Sequence, residues 1–302
     1  MSGAPECLTR GPLSWRQALA CAQEALERSL GGARRHEAIW LARASAERDS
    51  AAWWTGIDDV ADPERLQKLA SVLARRCSGE PLSYVLGRSS FCGLELKVGP
   101  GVLVPRPETE VVVEEVLAQL ATLGRPAAPL LVADLGTGSG AMALAVAAAE
   151  VRAKVWAVER SEQARRWASR NIRAQDSLAD RVTLLAGSWF GGLPEFLRGR
   201  LDLVMSNPPY VSAAEMECLG AEVADWEPHE ALAGGVSGLE PLEAIVAECP
   251  SWLARPGVLV VEVADSRGRE SQALAVEAGA SEAHIACDLA GRQRVLVARW
   301  NP

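Results

Sequence analysis

The sequence of 302 residues lacks the residue clusters that hold metal ions. It has only three histidines, His36, His229 and His284, which are isolated from one another. Its seven cysteines form no Cys-x-x-Cys pair, and their odd number and scattered positions indicate reduced thiols. We therefore expect neither a metal centre nor a histidine base.

Long apolar runs and an excess of positive charge are also absent. No stretch approaches the ~18 to 20 uninterrupted apolar residues of a membrane helix, and Met1 to Gly11 carries Glu6 and no long apolar core. The net charge is −8, whereas a protein that binds duplex DNA needs a basic face. We expect a cytoplasmic protein, and a monomer, that binds neither membranes nor DNA directly.

Length and an apolar content of 49% allow about two domains. The first part shows helix signals and no strand pattern. Ser14 could cap a helix that reaches Leu30, and Pro63 opens a helix that reaches Cys77. The predicted division is a helical domain over 12–88, a hairpin linker over 89–104, and a second domain over 105–302.

The second domain alternates apolar strand patterns with helical ones. A helix is predicted from Pro107 to about Leu123, followed by a loop over 125–129. Alternation of this kind predicts an α/β fold, a mostly parallel sheet of seven strands with helices on both faces. The predicted strands lie near 130–135, 154–159, 182–186, 201–206, 258–263, 283–287 and 294–299.

The most informative stretch is Asn207-Pro208-Pro209-Tyr210, which ends the apolar strand 201–206. Two prolines remove two backbone donors, so the stretch is rich in acceptors. The Asn207 Oδ1 atom and a proline carbonyl could each accept one N–H of a planar amine, while the ring of Tyr210 holds its plane. The alternative interpretation is a simple proline-rich turn. We favour a site for an amide or an exocyclic base amine.

A glycine loop follows the strand at 130–135. It runs from Gly136 to Gly140 and leads into a helix whose N-terminal N–H groups are unpaired. Glu159, at the end of the next strand, could accept both hydroxyls of a ribose. The loop also satisfies the dinucleotide fingerprint, but a hydride-transfer enzyme has no evident use for an amine clamp. S-adenosylmethionine fits both the loop and the clamp.

With these motifs the chain resembles the release-factor glutamine-N5 methyltransferases of the PrmC/HemK type, over most of its length. Two blocks distinguish this family from adenine-N6 DNA enzymes that share the tetrapeptide. The matching segments, in the order of the family, are Glu80 to Gly87, Val104 to Glu110, Asp134 to Gly140, Trp189-Phe190, Ser206 to Tyr210, Glu227-Pro228 with Gly234-Gly235, and Asp288 to Gly291 with Arg294. The two distinguishing blocks are Glu80-Pro81-Leu82 and Pro105-Arg106-Pro107-Glu108-Thr109-Glu110.

The resemblance implies methyl transfer from S-adenosylmethionine to the glutamine of the Gly-Gly-Gln loop in peptide chain release factors, with the helical domain docking the partner. It also assigns site residues. The catalytic residues are Asn207, Pro208 and Tyr210. The substrate-binding residues are these three with Pro209, Arg106 and Glu108. The cofactor-binding residues are Asp134, Gly136, Thr137, Gly138, Ser139, Gly140, Glu159, Ser188, Trp189 and Asn207.

Two positions depart from the family pattern. The residue before Trp-Phe is usually acidic and meets the adenine amino group, but here it is Ser188, whose hydroxyl would make a weaker hydrogen bond. Ser237 stands where the family places Asp, and we assign it no role. Two other hypotheses are an adenine-N6 nucleic-acid methyltransferase and a non-catalytic protein that binds release factors.

Overall fold

The computed structural model describes residues 6–8, 12–123 and 128–302. Most of Met1–Gly11 and the part of the predicted 125–129 loop that precedes residue 128 lie outside the described residues. The chain divides into two compact units. One consists of Met1–Arg88 with Gly220–Trp226, and the other of Ser89–Leu219 with Glu227–Pro302.

The first unit is helical, and its helices begin where polar caps satisfy their first N–H groups. Ser14 and Gln17 form a reciprocal capping box at the start of the first helix. Asp62 caps the helix that Pro63 opens. The helices are α1 (Trp15–Leu30), α2 (Arg35–Ala46), α3 (Ser50–Thr55), α4 (Pro63–Cys77) and α5 (Leu82–Leu86).

The second unit is built around a seven-stranded sheet, preceded by a separate two-stranded hairpin. The strands of the hairpin are β1 (Arg88–Phe91) and β2 (Leu94–Lys97), and those of the sheet are β3 (Leu130–Leu135), β4 (Ala153–Glu159), β5 (Val182–Ala186), β6 (Leu201–Ser206), β7 (Leu253–Glu262), β8 (Glu282–Cys287) and β9 (Gln293–Trp300). The spatial order of the sheet is β5-β4-β3-β6-β7-β9-β8. Strands β3 to β7 pair in parallel, and β9 runs antiparallel to both of its neighbours. The predicted α/β fold is thus confirmed.

Helices cover both faces of the sheet, so its central strands are apolar on both sides. In β3, Leu130 and Val132 enter one apolar core, while Ala133 and Leu135 enter the core on the opposite face. This is why β3 and β6 read as continuous apolar runs. The later helices are α6 (Glu110–Thr122), α7 (Ala141–Ala149), α8 (Glu162–Ala174), α9 (Ala213–Met216), α10 (Ala221–Ala224), α11 (Glu240–Glu248) and α12 (Gly268–Glu277), of which α10 belongs to the helical unit.

The helix predicted from Pro107 begins with a 3₁₀ turn over Pro107–Thr109, after which α6 continues to Thr122. Within the described ranges, no helix combines the length and apolarity needed to cross a bilayer.

Candidate active site

The predicted site motifs meet at the carboxyl edge of the sheet, because β4, β3 and β6 are neighbours there. The glycine loop follows β3, Glu159 ends β4, and Asn207 follows β6. A side-chain bond ties two of these ends together. The Ser206 hydroxyl donates to the Leu135 carbonyl at 2.6 Å, which holds the start of the tetrapeptide beside the start of the loop.

The glycine loop turns tightly because three of its residues adopt the left-handed region, with φ of +75° at Gly136, +59° at Gly138 and +84° at Gly140. The loop is anchored to β4. The N–H groups of Gly136 and Thr137 donate to the Val158 carbonyl at 2.9 and 3.0 Å. The backbone is therefore fixed before any ligand arrives.

Glu159 is buried at the end of β4, with 8% of its surface exposed. Its Oε2 atom accepts the Gly138 N–H at 2.9 Å, and its Oε1 atom accepts the Ser161 N–H at 2.8 Å. Each carboxylate oxygen has a second acceptor site. The carboxylate can accept two further hydroxyl donors while it holds the loop.

Asp134 lies beneath the loop and is fully buried. Its Oδ2 atom accepts the Thr137 hydroxyl at 2.6 Å. Burial raises the pKa of the Asp134 carboxyl to about 7, although bonds from Thr137 and from the Ala143 backbone oppose the rise. Asp134 braces the loop from below rather than facing the open space above it.

Ser188 and Trp189 follow β5. Trp189 has a φ of +46°, a conformation that is uncommon for a residue with a side chain and that is often found at functional sites. A Cβ atom at Gly136 would lie 3.6 Å from Trp189 Cζ3, so the indole lies against the glycine loop. Ser188 is exposed, and its hydroxyl is available to a ligand.

Hydrogen bonds to neighbouring side chains hold Asn207 and Tyr210 of the tetrapeptide in place. Asn207 Nδ2 donates to the Thr109 hydroxyl at 3.1 Å, and the Tyr210 hydroxyl donates to Glu262 Oε1 at 3.1 Å. Burial, and then the charge of Glu262, raise the pKa of Tyr210, so this hydroxyl remains a donor. Gly234 packs closely against the backbone of the tetrapeptide, since a Cβ atom at this position would lie 2.8 Å from the Tyr210 Cα.

One cavity of about 310 Å³ connects these parts and falls within the size range of small-molecule sites. Ten of the predicted site residues line it, and five do not. The lining residues are Arg106, Gly136, Thr137, Gly138, Ser139, Glu159, Ser188, Trp189, Asn207 and Pro209. The residues that lie outside this lining are Glu108, Asp134, Gly140, Pro208 and Tyr210.

The predicted substrate residues Arg106 and Glu108 have different environments. Arg106 lines the cavity and forms an ion pair of 2.6 Å with Glu227, whose side chain is 1% exposed. Glu108 is exposed. Ser237, for which no role was predicted, donates to Glu240 Oε2 at 2.9 Å in the turn that leads into α11.

Sequence reasoning missed several residues of the cavity and its support. Phe91, Leu103 and Met142 supply apolar walls. Thr109 and Glu262 support the tetrapeptide, and no spacing signal joins positions 98 and 52 residues away from their partners. Only the inclusion of Thr109 in the Pro-Arg-Pro-Glu-Thr-Glu block pointed to one of them.

The cavity suits an adenosyl cofactor because hydrogen-bond acceptors and apolar side chains both line it. Glu159 offers carboxylate oxygens for ribose hydroxyls, and the glycine loop lets a ligand approach the backbone closely. Phe91, Met142 and Trp189 offer apolar surface for a base and a thioether. In the described part of the chain, no group of three or more metal-binding side chains accompanies these features.

The fold and this cavity define an S-adenosylmethionine-dependent methyltransferase. Family models agree, since residues 17–87 match the PrmC N-terminal domain and residues 116–223 match the methyltransferase small domain.

Comparison with known proteins shows to which family of methyltransferases the chain belongs. The chain is 37% identical to the release factor glutamine methyltransferase of Geobacter sulfurreducens over 88% of this chain and 89% of that protein. It is 41% identical to the Streptomyces coelicolor protein of the same name over 76% of this chain and 79% of that protein. For the Rhodospirillum rubrum protein the identity is 38%, over 80% and 71%. The chain belongs to the release factor glutamine methyltransferase family.

Proposed function

We propose that this protein transfers the methyl group of S-adenosylmethionine to the side-chain amide nitrogen of the glutamine in the Gly-Gly-Gln loop of peptide chain release factors. Family membership supports the substrate, and the tetrapeptide supports the chemistry. The observation that carries the proposal is the Asn207 amide, which lines the cavity while its Nδ2 atom is engaged by Thr109. The Oδ1 atom is left to accept an N–H of the substrate.

An amide nitrogen is a poor nucleophile, because its lone pair is delocalised into the carbonyl. Asn207 Oδ1 and the Pro208 carbonyl would each accept one N–H of the substrate amide, and the ring of Tyr210 would hold its plane. This arrangement aims the nitrogen at the electrophilic carbon. Well-oriented pairs reach effective molarities of ~10⁵ to 10⁸ M, which corresponds to roughly 7 to 11 kcal/mol of barrier. Positioning is the main contribution of the protein.

S-adenosylmethionine supplies a methyl group on a positively charged sulfur. The new bond joins this methyl carbon to the amide nitrogen while the carbon–sulfur bond breaks, and the nitrogen then loses one proton to water. Glu159 would hold the ribose, and the loop from Gly136 to Gly140 would lie along the cofactor, with Asp134 as its brace. Ser188 and Trp189 would contact the adenine.

Other parts of the molecule would bind the release factor. Arg106 and Glu108 stand on the segment before α6, where the loop of a release factor would enter. The helical unit would dock the body of the factor. We also propose that the protein acts as a monomer in the cytoplasm and does not bind DNA, which is consistent with its net charge of −8 and with seven cysteines that form no disulfide.

The test compares three acceptors with labelled S-adenosylmethionine: an intact release factor, a short peptide with the same Gly-Gly-Gln loop, and duplex DNA. We expect methylation of the glutamine, located by peptide mass spectrometry, and a far higher kcat/KM for the intact factor because docking supplies binding energy. Label on adenine would contradict the protein substrate. Equal activity on the peptide and the factor would contradict the docking role.

Asn207→Ala is the matched inactive variant. Loss of a hydrogen-bond partner in the transition state costs on the order of 10² to 10³ in rate, and here orientation is lost as well. The variant should stay folded and still bind S-adenosylmethionine in calorimetry. Near-normal turnover would remove Asn207 from the proposed mechanism, and binding without turnover in the wild type would favour a non-catalytic binding protein.

A further inference from the structure

We propose that Asn171 is a positioning residue for the cofactor, because it fixes the glycine loop and the segment over residues 97–103, called the linker segment below, relative to each other. Asn171 lies in α8 and does not line the cavity. Its polar side chain is nevertheless buried, with 2% of the residue exposed. The inference goes beyond the proposed function, since it concerns how the cofactor cavity keeps its shape.

The amide of Asn171 bonds to backbone groups of two separate segments. Its Oδ1 atom accepts the Lys97 N–H at 2.7 Å, and its Nδ2 atom donates to the Lys97 carbonyl at 3.0 Å. The same Nδ2 atom donates to the Ser139 carbonyl at 2.9 Å. Both donors of the NH₂ group are therefore used. One side chain joins the end of β2 to the glycine loop.

One stripe of α8 holds the linker segment. Residues four apart lie on the same face of a helix, and Gln163, Trp167 and Asn171 have this spacing. Trp167 Nε1 donates to the Pro100 carbonyl at 3.1 Å. Gln163 packs so closely on Gly101 that a Cβ atom there would overlap it. The linker segment thus runs along α8 in the opposite direction to the helix.

A neighbouring stripe of α8 faces the glycine loop. A Cβ atom at Gly140 would lie 3.6 Å from the Ala168 Cβ atom, which is ordinary packing contact. Ala164 lines the cavity itself. Asn171 follows Ala168 by three residues and so lies on this face as well. It belongs to both stripes, and its amide bonds to both segments.

The two segments that Asn171 joins supply different parts of the cavity lining. Ser139 belongs to the glycine loop, and Leu103 is an apolar residue of the linker segment. Their separation sets the width of the space between them. Because apolar contacts weaken steeply across small gaps, a shift of the linker segment against the loop would weaken S-adenosylmethionine binding. Asn171 would act through the two segments and not by touching the cofactor.

The test compares two variants of α8 in the full chain. Asn171→Leu nearly keeps the size of the side chain and removes its hydrogen bonds. Ile172→Ala changes a buried apolar neighbour, which makes no side-chain hydrogen bond to either segment. Both should lower stability. In titration calorimetry, Asn171→Leu should bind S-adenosylmethionine about tenfold more weakly, on the scale of buried hydrogen bonds, while Ile172→Ala stays within about threefold of wild type.

A double-mutant cycle separates positioning from general destabilisation. Leu103→Ala should weaken S-adenosylmethionine binding about tenfold in the wild type, on the scale of lost apolar contact. In Asn171→Leu the same change should cost less than about threefold, because Leu103 is then already displaced. In Ile172→Ala it should keep its full effect. Equal effects in all three backgrounds would overturn the inference, as would an affinity of Asn171→Leu equal to that of wild type.

Hydrogen exchange of the unliganded protein gives a second readout. The Lys97 amide proton should exchange at least about tenfold faster in Asn171→Leu than in wild type, because its acceptor is gone. Unchanged exchange would show that Asn171 does not hold the linker segment. If Asn171→Leu does not fold, Asn171→Ala takes its place, since water can bond to the backbone groups in the space left.

None of these measurements uses a release factor. A wild type that methylates no release factor would therefore contradict the proposed function and leave the task of Asn171 to be decided by calorimetry and exchange.

Discussion

Glu159 has two tasks, since it accepts two backbone N–H groups and lines the cavity. Glu159→Gln keeps one oxygen and removes the charge. We predict that it weakens S-adenosylmethionine binding by about 1.5 to 3 kcal/mol, the range for hydrogen bonds to a charged group. Titration calorimetry measures this, with Glu162→Gln, an exposed carboxylate three residues along the chain, as the control. Unchanged affinity in Glu159→Gln would show that the ribose is held elsewhere.

Asp134 should make stability depend on pH. The folded carboxyl keeps its proton up to a pKa of about 7, whereas an unfolded Asp loses it near pH 4. Between these values the folded state binds more protons than the unfolded state, so the free energy of unfolding falls as pH rises. Asn does not titrate.

We therefore predict that Asp134→Asn gains stability relative to wild type as pH rises from 5 to 7, by about 2 kcal/mol. Urea unfolding at the two pH values measures this difference. Asp180→Asn, at an exposed position, should follow the wild-type curve. If Asp134→Asn also follows that curve, the buried carboxyl is ionised throughout.

A residue of the site could be predicted from the sequence when it lies in a local motif. Asn207 and Glu159 each end an apolar strand, and the parallel-sheet rule then brings them together. Thr109 and Glu262 could not be found this way, because their contacts depend on the packing of α6 and β7 against β6. The placement of Asp134 below the loop likewise depends on the loop geometry rather than on its position in the motif.

At the scale of elements, Gly234, which follows α10, sets the position of the tetrapeptide. A Cβ atom at Gly234 would lie 2.9 Å from the Pro209 carbonyl oxygen, closer than packing allows. Gly234→Ala should displace the tetrapeptide. We predict a loss of about 10² in kcat and a destabilisation of about 1 to 3 kcal/mol, measured by steady-state kinetics and thermal unfolding.

Gly191→Ala is the control for this prediction, since a Cβ atom there meets nothing within 4 Å. It should retain wild-type kinetics. A Gly234→Ala variant with the same kinetics as Gly191→Ala would show that the backbone yields at position 234 without moving Asn207.

Most element boundaries followed from local signals. The strand periodicity and the capping residues Ser14 and Asp62 placed their elements to within a few residues. β7 is the main difference, since it begins at Leu253 and not near 258. Arg255-Pro256 suggests a break, yet Leu253 pairs with Leu201 across a register shift that absorbs the extra residues. Such a shift is set by the partner strand and has no local signature.

At the scale of the molecule, the helical unit depends on a buried charge. Arg76 is 1% exposed and pairs with Glu37 at 2.7 Å and with Glu222 at 3.0 Å. Arg76→Met takes the guanidinium away from Glu222, which is 45% exposed, while Glu37 keeps its ion pair with Arg34. We predict a loss of about 1.5 to 3 kcal/mol in the stability of this unit, the range for hydrogen bonds to a charged group, measured by urea unfolding and tryptophan fluorescence.

The exposed pair Lys68–Glu47 provides the comparison, with side chains 50% and 61% exposed. Lys68→Met should lower the stability far less than Arg76→Met, because water screens an exposed ion pair. Equal losses in Arg76→Met and Lys68→Met would mean that Arg76 does not hold the unit together.

No sequence signal indicated that Gly220–Trp226 belongs to the helical unit. This membership determines when the helical unit can be completed during protein synthesis. A ribosome releases α1 to α5 early, but Glu222, the partner of Arg76, emerges only after most of the sheet has been synthesised. At about 5 to 20 residues per second this interval lasts on the order of ten seconds. The unit that begins first is thus completed late, and for that time Arg76 must rely on Glu37 and on the Glu80 carbonyl.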